Sequence, residues 1–367
     1  MFRVNPAERP DPLSVRRVGV LTFHRCFNYG SYWQARCLVE GLAAAGYPVE
    51  LLDHDSAEVS RAEARCLMQP ALPERSARGD FPAYKAKARR FAEAFAALPM
   101  SRPFPLDAPA SAGRYDAVVV GSDEVWNFEH PWYGGKPIFF GDGLKAGRLV
   151  SYAASFGNHD AIGGIDRWWS GRLAAFDALS VRDANSQRIV AEALGREPPL
   201  VLDPCLQFPE VIPRAPADTE EPYLLIYGHG FPAWLQAALH RWSRRTGVRL
   251  LSVGYRNAWA DAHAIAAGPL DFARLMAGAA AVATNFFHGC VFALVNDKPL
   301  VTAPTSYRFN KIRDLAAALA FADRIVDEDA PQRQLDALLD TPPGPHVAER
   351  LTALRRQSAD YLRAALA

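Results

Sequence analysis

Short apolar runs rich in β-branched residues, each closed by a polar or glycine-containing turn, alternate along this chain with longer stretches of helical periodicity. The first run, Arg17 to Phe23 (RVGVLTF), predicts a parallel strand buried on both faces. A turn, HRCFNYG, follows. Ser31 is placed to cap the helix that starts there and ends at Gly46. Tyr47 to Asp53 then supplies a second strand and completes a βαβ unit. From about 56 to 99, Ala, Arg and Glu recur with helical periodicity and a break near Pro70 to Pro82, which predicts a helical insertion. Strand signals return at Tyr115 to Gly121, Arg148 to Ser155, Ala178 to Val181 and Pro199 to Leu202, with a helix through Gln187 to Leu194.

The stretch from Asp203 to Pro222 contains five prolines and no periodicity and reads as an interdomain linker. Beyond it the alternation restarts. Strands are expected at Tyr223 to Tyr227, Val248 to Val253, Ala280 to Ala283 and Pro299 to Thr302. Helices are expected at Ala233 to Arg245, Leu270 to Ala277, around Ala293, at Lys311 to Ala320 and from Ala348 to the end. Two successive blocks of this kind predict an α/β protein with two Rossmann-like domains facing across a cleft, where ligands sit at the carboxyl ends of the strands. The expected divisions are 15–205, carrying the insertion at 56–99, a linker at 206–222, a second domain at 223–345 and a final helix at 346–367.

Length agrees with two domains, since 367 residues exceed what one core usually holds. A formal net charge of +1 with dispersed basic residues argues against nucleic acid as a partner. The densest basic run, Lys85, Lys87, Arg89 and Arg90, reads as a solvated helix face. Five scattered cysteines without metal-ligand spacing predict reduced thiols in a cytoplasmic protein and no metal site. The polar, proline-containing start lacks the apolar core of a signal peptide, and no run is long enough for a membrane span.

Four strand-to-helix junctions carry the candidate chemistry. Asn28, Gly30 and Ser31 straddle the first, where helix amides favour an anion, with a bare structural turn as the alternative reading; neither a dinucleotide nor a Walker fingerprint is present. Ser122, Asp123, Glu124 and Trp126 follow the valine-rich strand. Asp123 is a candidate general base toward a hydroxyl, and Trp126 offers a flat face for a sugar ring, with a capped turn as the alternative reading. Arg182 and Asp183 open a third helix, as an anion-gripping fork or as a structural pair. The fourth junction holds Asn285, His288 and Gly289. His288 is placed for proton transfer or for capping, and Gly289 allows close approach to the backbone. Arg308 and Lys311 follow and can add charge toward a phosphate.

Taken in order, GVLTFHRCFNYGSYWQA, YDAVVVGSDEVWN, LSVRDANS, VLDPCL and TNFFHGCVFALVNDKPL resemble the polysaccharide pyruvyl transferase family over most of the chain. The resemblance implies a GT-B-like pair of domains. It also implies transfer of an enolpyruvyl-derived group from phosphoenolpyruvate to a sugar or sugar-like acceptor, with no metal or organic cofactor. By motif it points to Arg182, His288 and Lys311 on the donor side and to the Asp123 region as acceptor or base side. Two positions depart from the family pattern: Phe286 stands where serine is usual, and Trp33 replaces an aliphatic residue; both are expected to reshape the acceptor pocket. The same architecture would also suit a glycosyltransferase with a nucleotide-sugar donor, or a catalytically degenerate scaffold. Small-molecule donor and acceptor are the expected partners, and association of copies into a homo-oligomer is left open by the sequence.

Overall fold

The computed structural model describes residues 17–160, 164–217 and 221–367. Positions 15–16 of the expected first domain, 218–220 of the expected linker and the polar amino-terminal start lie outside them. In chain order the first half runs β1 (Val18–Leu21), α1 (Tyr29–Ala44), β2 (Val49–Leu51), β3 (His54–Asp55), α2 (Ala57–Met68), α3 (Phe81–Ala96), β4 (Phe104–Pro105), β5 (Arg114–Val120), β6 (Lys145–Ser151), α4 (Arg167–Ala174), α5 (Ala184–Leu194) and α6 (Pro204–Gln207). The second runs β7 (Tyr223–Tyr227), α7 (Ala233–Thr246), β8 (Arg249–Val253), β9 (Ala262–Ala264), α8 (Pro269–Gly278), β10 (Ala281–Thr284), α9 (Phe287–Val295), β11 (Leu300–Thr302), α10 (Ser306–Leu319), α11 (Gln332–Asp340) and α12 (Pro345–Leu366).

Two larger all-parallel sheets result, ordered β2-β1-β5-β6 and β11-β10-β7-β8-β9, with helices over their faces, and β3 and β4 pair as a small parallel sheet of their own. This is the α/β class expected. Burial on both faces explains why β1, β7 and β10 are uninterrupted apolar runs rather than alternating ones. The strands expected at 178–181 and 199–202 shrink to single bridges that continue the first sheet, Val150 to Ala178, Ala154 to Val181 and Val181 to Leu200. Pro198 and Pro199 have no amide to donate to a ladder there.

The proline-rich stretch after Asp203 is not a bare tether. It forms α6 and a one-turn helix at Pro209–Val211, and buries Cys205, Leu206 and Ile212. Phe208 lies so close over Gly41 of α1 that a Cβ there would sit 2.3 Å from its ring. From α12, Arg355 donates to the Leu206 carbonyl at 2.7 Å, and the Tyr361 hydroxyl donates to Ser151 in the first sheet at 2.7 Å.

One apolar core runs through both halves, from Val18 and Trp33 to Leu225 and Phe272. Tyr29 of α1 stacks on Phe272 of α8 at 4.3 Å and donates its hydroxyl to the Ala267 carbonyl. Trp33 is fully buried in this seam, with its indole nitrogen donating to Pro269 at 3.0 Å. The insertion crosses the same seam: Arg90 pairs with Asp271, Arg256 with Asp80, and Lys87 donates to the Gly254 carbonyl. A large shared apolar area, rather than a hinge segment, therefore fixes how the strand ends of the two sheets face each other.

Candidate active site

The amino terminus of α1 is closed by Asn28, not Ser31. The Asn28 carboxamide oxygen accepts from the amides of Gly30 and Ser31 at 2.8 and 3.3 Å. Those two donors, expected to face an anion, are thereby spent. Gly30 has a packing task instead: a Cβ on it would lie 2.0 Å from Nδ1 of His288, so the bare α-carbon lets α1 press directly on the imidazole. His288 itself sits in the first turn of α9, which has no side-chain cap.

Freed from capping, Ser31 donates its hydroxyl to Asp123 Oδ2 at 2.8 Å. Asp123 stands just past β5 with φ +68°, a left-handed conformation that an aspartate tolerates better than most residues. Its other oxygen accepts from the Glu124 amide at 3.0 Å and from Arg182 at 3.2 Å. Arg182 then reaches across to Asp203 Oδ2 at 3.0 Å, and His288 Nε2 lies 3.4 Å from that same oxygen. Arg182 and His288, contributed by opposite halves of the chain, thus share one carboxylate. The guanidinium also lies over the Phe287 ring at 4.6 Å.

Electrostatics follow from this arrangement. Burial alone would raise the Asp203 carboxyl, but His288 and then Arg182 outweigh it and hold it below the usual carboxylate range. Burial likewise opposes charge on Arg182, and Asp123 and Asp203 overcome it, so the guanidinium is firmly charged. Glu124, half-buried at the cavity wall, packs against Lys311 and forms an ion pair with it. Desolvation would lift this carboxyl, yet Lys311 and then Arg182 bring it down to about 2. Arg308 lies 4.3 Å over the face of Phe286, whose edge packs against Tyr227 at 4.9 Å. The aromatic ring that departs from the family pattern is therefore a platform for a cleft arginine.

These groups line one cavity of about 400 Å³. Of the expected site residues, Asn28, Ser31, Asp123, Glu124, Arg182, His288, Arg308 and Lys311 border it. Five others do not. Ser122 is fully buried and donates to the Ala153 carbonyl. Trp126 is fully buried among Phe140, Phe156 and Phe176, with its indole nitrogen on the Phe139 carbonyl, so it has no face to offer a sugar. Asn285 braces the 228–230 turn from behind through the His229 carbonyl. Gly289 faces Thr284 Oγ1, where a Cβ would meet it at 2.0 Å, so the space expected for a ligand is filled; Gly30 is taken by His288. Trp33 belongs to the seam and leaves the pocket unshaped.

Residues not expected from the sequence line the cavity or brace its lining from behind. Asp203, within the stretch read as linker, joins Arg182 to His288. Trp132, rather than Trp126, supplies the cavity's indole. Glu63, Cys66, Leu67 and Lys87 come from the helical insertion. Lys87 is 3 % exposed, so the solvated face expected for it is wrong: its ammonium lies 4.7 Å from the Tyr29 ring and 5.0 Å from that of Tyr255, and burial pushes it down to about 7. Asp203, Cys205 and His288 also have ligand atoms near enough to share a metal ion. Their chemistry opposes it, since the Arg182 guanidinium already occupies Asp203 and burial keeps the Cys205 thiol protonated.

A family model described as polysaccharide pyruvyl transferase matches residues 28–307, well over half of the chain. The chain belongs to the polysaccharide pyruvyl transferase family. As a member of that family it is a transferase, and the matched span holds every cavity residue named above except Arg308 and Lys311. No curated protein sequence matches this pyruvyl transferase family member. Among solved structures it is similar to a putative UDP-N-acetylglucosamine 2-epimerase from Listeria monocytogenes (11 % identity over 94 % of this chain and 91 % of that one, TM-score 0.49). It is likewise similar to the UDP-GlcNAc 2-epimerase of Methanocaldococcus jannaschii (9 %, 93 % and 99 %, TM-score 0.49). A third is the ADP-heptose LPS heptosyltransferase II of E. coli (15 %, 94 % and 99 %, TM-score 0.35). No helix among the described residues of this transferase is long and apolar enough to cross a membrane.

Proposed function

We propose that this family member transfers the enolpyruvyl-derived group of phosphoenolpyruvate to a hydroxylated acceptor, forming a pyruvate ketal and releasing phosphate. The observation that carries the reading is the convergence of Arg182, Arg308, Lys311 and His288 on one cavity. Carboxylate and phosphate on a three-carbon donor need cations on more than one side, and the double bond needs a proton source. Asp203 orients His288 through Nε2, which leaves Nδ1, beside Gly30, to deliver the proton.

In this mechanism Nδ1 protonates the methylene carbon, and positive charge develops at the adjacent carbon bearing the phosphate ester. A first acceptor hydroxyl attacks that carbon while Asp123 draws off its proton; Ser31 and Arg182 keep the carboxylate aimed. The carbon–oxygen bond to phosphate then breaks, and the second hydroxyl attacks to close the ketal. One hydroxyl proton leaves with phosphate and the other restores His288. A calorimetric panel of phosphoenolpyruvate, UDP-glucose and dTDP-glucose tests the reading. Binding of phosphoenolpyruvate alone is expected, and binding of a nucleotide sugar without phosphoenolpyruvate would replace the reading with a glycosyltransferase.

A further inference from the structure

The insertion gives the cavity a second wall whose chemistry the donor does not use. Glu63 of α2 is 6 % exposed, and its two oxygens accept from the Trp132 indole at 3.0 Å and from the Phe27 amide at 3.1 Å. Each carboxylate oxygen can accept more than one such bond, so Glu63 keeps acceptor capacity toward the cavity it lines. Lys87 of α3 spends one of its three protons on the Gly254 carbonyl at 3.2 Å while its stem and ammonium rest among Tyr29, Phe91 and Tyr255. Trp132, Phe27, Tyr255 and Leu67 supply the apolar part of this wall.

A buried acceptor group, a buried donor group and aromatic surface between them match the two characters of a hydroxylated ring. Its hydroxyls both give and take hydrogen bonds, while its C–H face packs on aromatic rings. We infer that Glu63, Lys87 and Trp132 form the acceptor half of the cleft and select a hydroxylated ring of monosaccharide size. The inference rests on the pyruvyl-transfer reading for the ring's role as acceptor. A cavity of about 400 Å³ has room for the three-carbon donor together with one sugar ring.

Ligand-observed NMR with methyl β-galactopyranoside, methyl β-glucopyranoside and methyl α-mannopyranoside, without phosphoenolpyruvate, tests the wall directly. At least one glycoside should bind the wild type. Glu63→Gln and Lys87→Met, both near-isosteric and checked for an unchanged fold by circular dichroism, should each weaken it about tenfold or more, the size of losing a hydrogen bond to a charged group. Arg188→Gln, at an exposed position outside the cavity, should change glycoside binding less than threefold. The inference is overturned if no glycoside binds, or if both wall variants bind as the wild type does. Calorimetry with phosphoenolpyruvate on the same samples separates the two ideas. Glycoside binding without phosphoenolpyruvate binding sinks the donor reading and leaves the wall standing, whereas the reverse pattern sinks the wall alone.

Discussion

Replacing Gly30 by alanine adds one methyl group to α1 and places it 2.0 Å from Nδ1 and 2.4 Å from Cγ of His288. Ordinary contact requires roughly 3.4 Å or more, so the imidazole must retreat by about 1.4 Å or swing off its rotamer. It has little freedom to do so, because Nε2 faces Asp203 and the residue is 8 % exposed. A misplacement of that size at a proton donor is expected to lower kcat about 100-fold. The fold should survive. Gly30 is helical without a positive φ, and alanine's helix propensity returns up to about 1 kcal/mol against an overpacking cost of about 1–3 kcal/mol. Steady-state phosphate release from phosphoenolpyruvate in the presence of a hydroxylated acceptor, set beside a thermal melt, reads both effects. A kcat within twofold of wild type would refute the reasoning, as would a loss of activity that merely tracks a collapse in Tm.

Other expectations follow from the same contacts. Lys311→Met leaves the half-buried Glu124 carboxylate without its counter-ion and should cost about 2–3 kcal/mol in denaturant unfolding, below the full buried-pair penalty, with much of it recovered in Lys311→Met/Glu124→Gln. Because the Glu124 carboxyl is lowered to about 2 in the folded chain, its share of stability is complete above the unfolded value near 4.5 and lost as pH falls toward 2; Glu124→Gln should flatten unfolding profiles across that window. Lys87 has the opposite consequence. Folded near 7 and unfolded near 10.5, it binds fewer protons when folded, so stability should rise with pH between those values and Lys87→Met should remove the rise in pH-dependent melts. Trp126→Phe should destabilise the fold through its lost indole bond to Phe139 yet leave acceptor KM unchanged, since the ring does not reach the cavity.

The central strands of both sheets were legible because burial on two faces writes them as apolar runs: Tyr223 to Tyr227 is observed with the bounds that the pattern predicts, whereas the half-exposed edge strand Ala262–Ala264 carries no such run and was not foreseen. The strand-end junctions were legible for a related reason, since parallel sheets gather their loops at one edge. Arg182, His288 and Asp123 consequently meet where their positions in the pattern suggest. What escaped was decided by tertiary packing. Asp203 opens a proline-rich stretch whose lack of periodicity hides that α1 and α12 clamp it. Lys87 alternates with alanines as a solvated residue would, yet it falls on the stripe of Tyr84, Phe91 and Ala94 that is buried in α3. Helical spacing to those neighbours was the signal available. For Trp126 and Trp132 no such signal exists: both follow β5 in one loop, and only the folded chain shows which of the two indoles reaches the cavity.

The most direct test of the donor site is a crystal structure of the protein soaked with phosphoenolpyruvate. The methylene carbon is expected within about 3.5 Å of His288 Nδ1, a near-attack distance, with the phosphate held by Lys311 or Arg308 and the carboxylate on the Arg182 side. Phosphoenolpyruvate lying outside this cleft, or inside it with the methylene turned away from His288, would contradict the account.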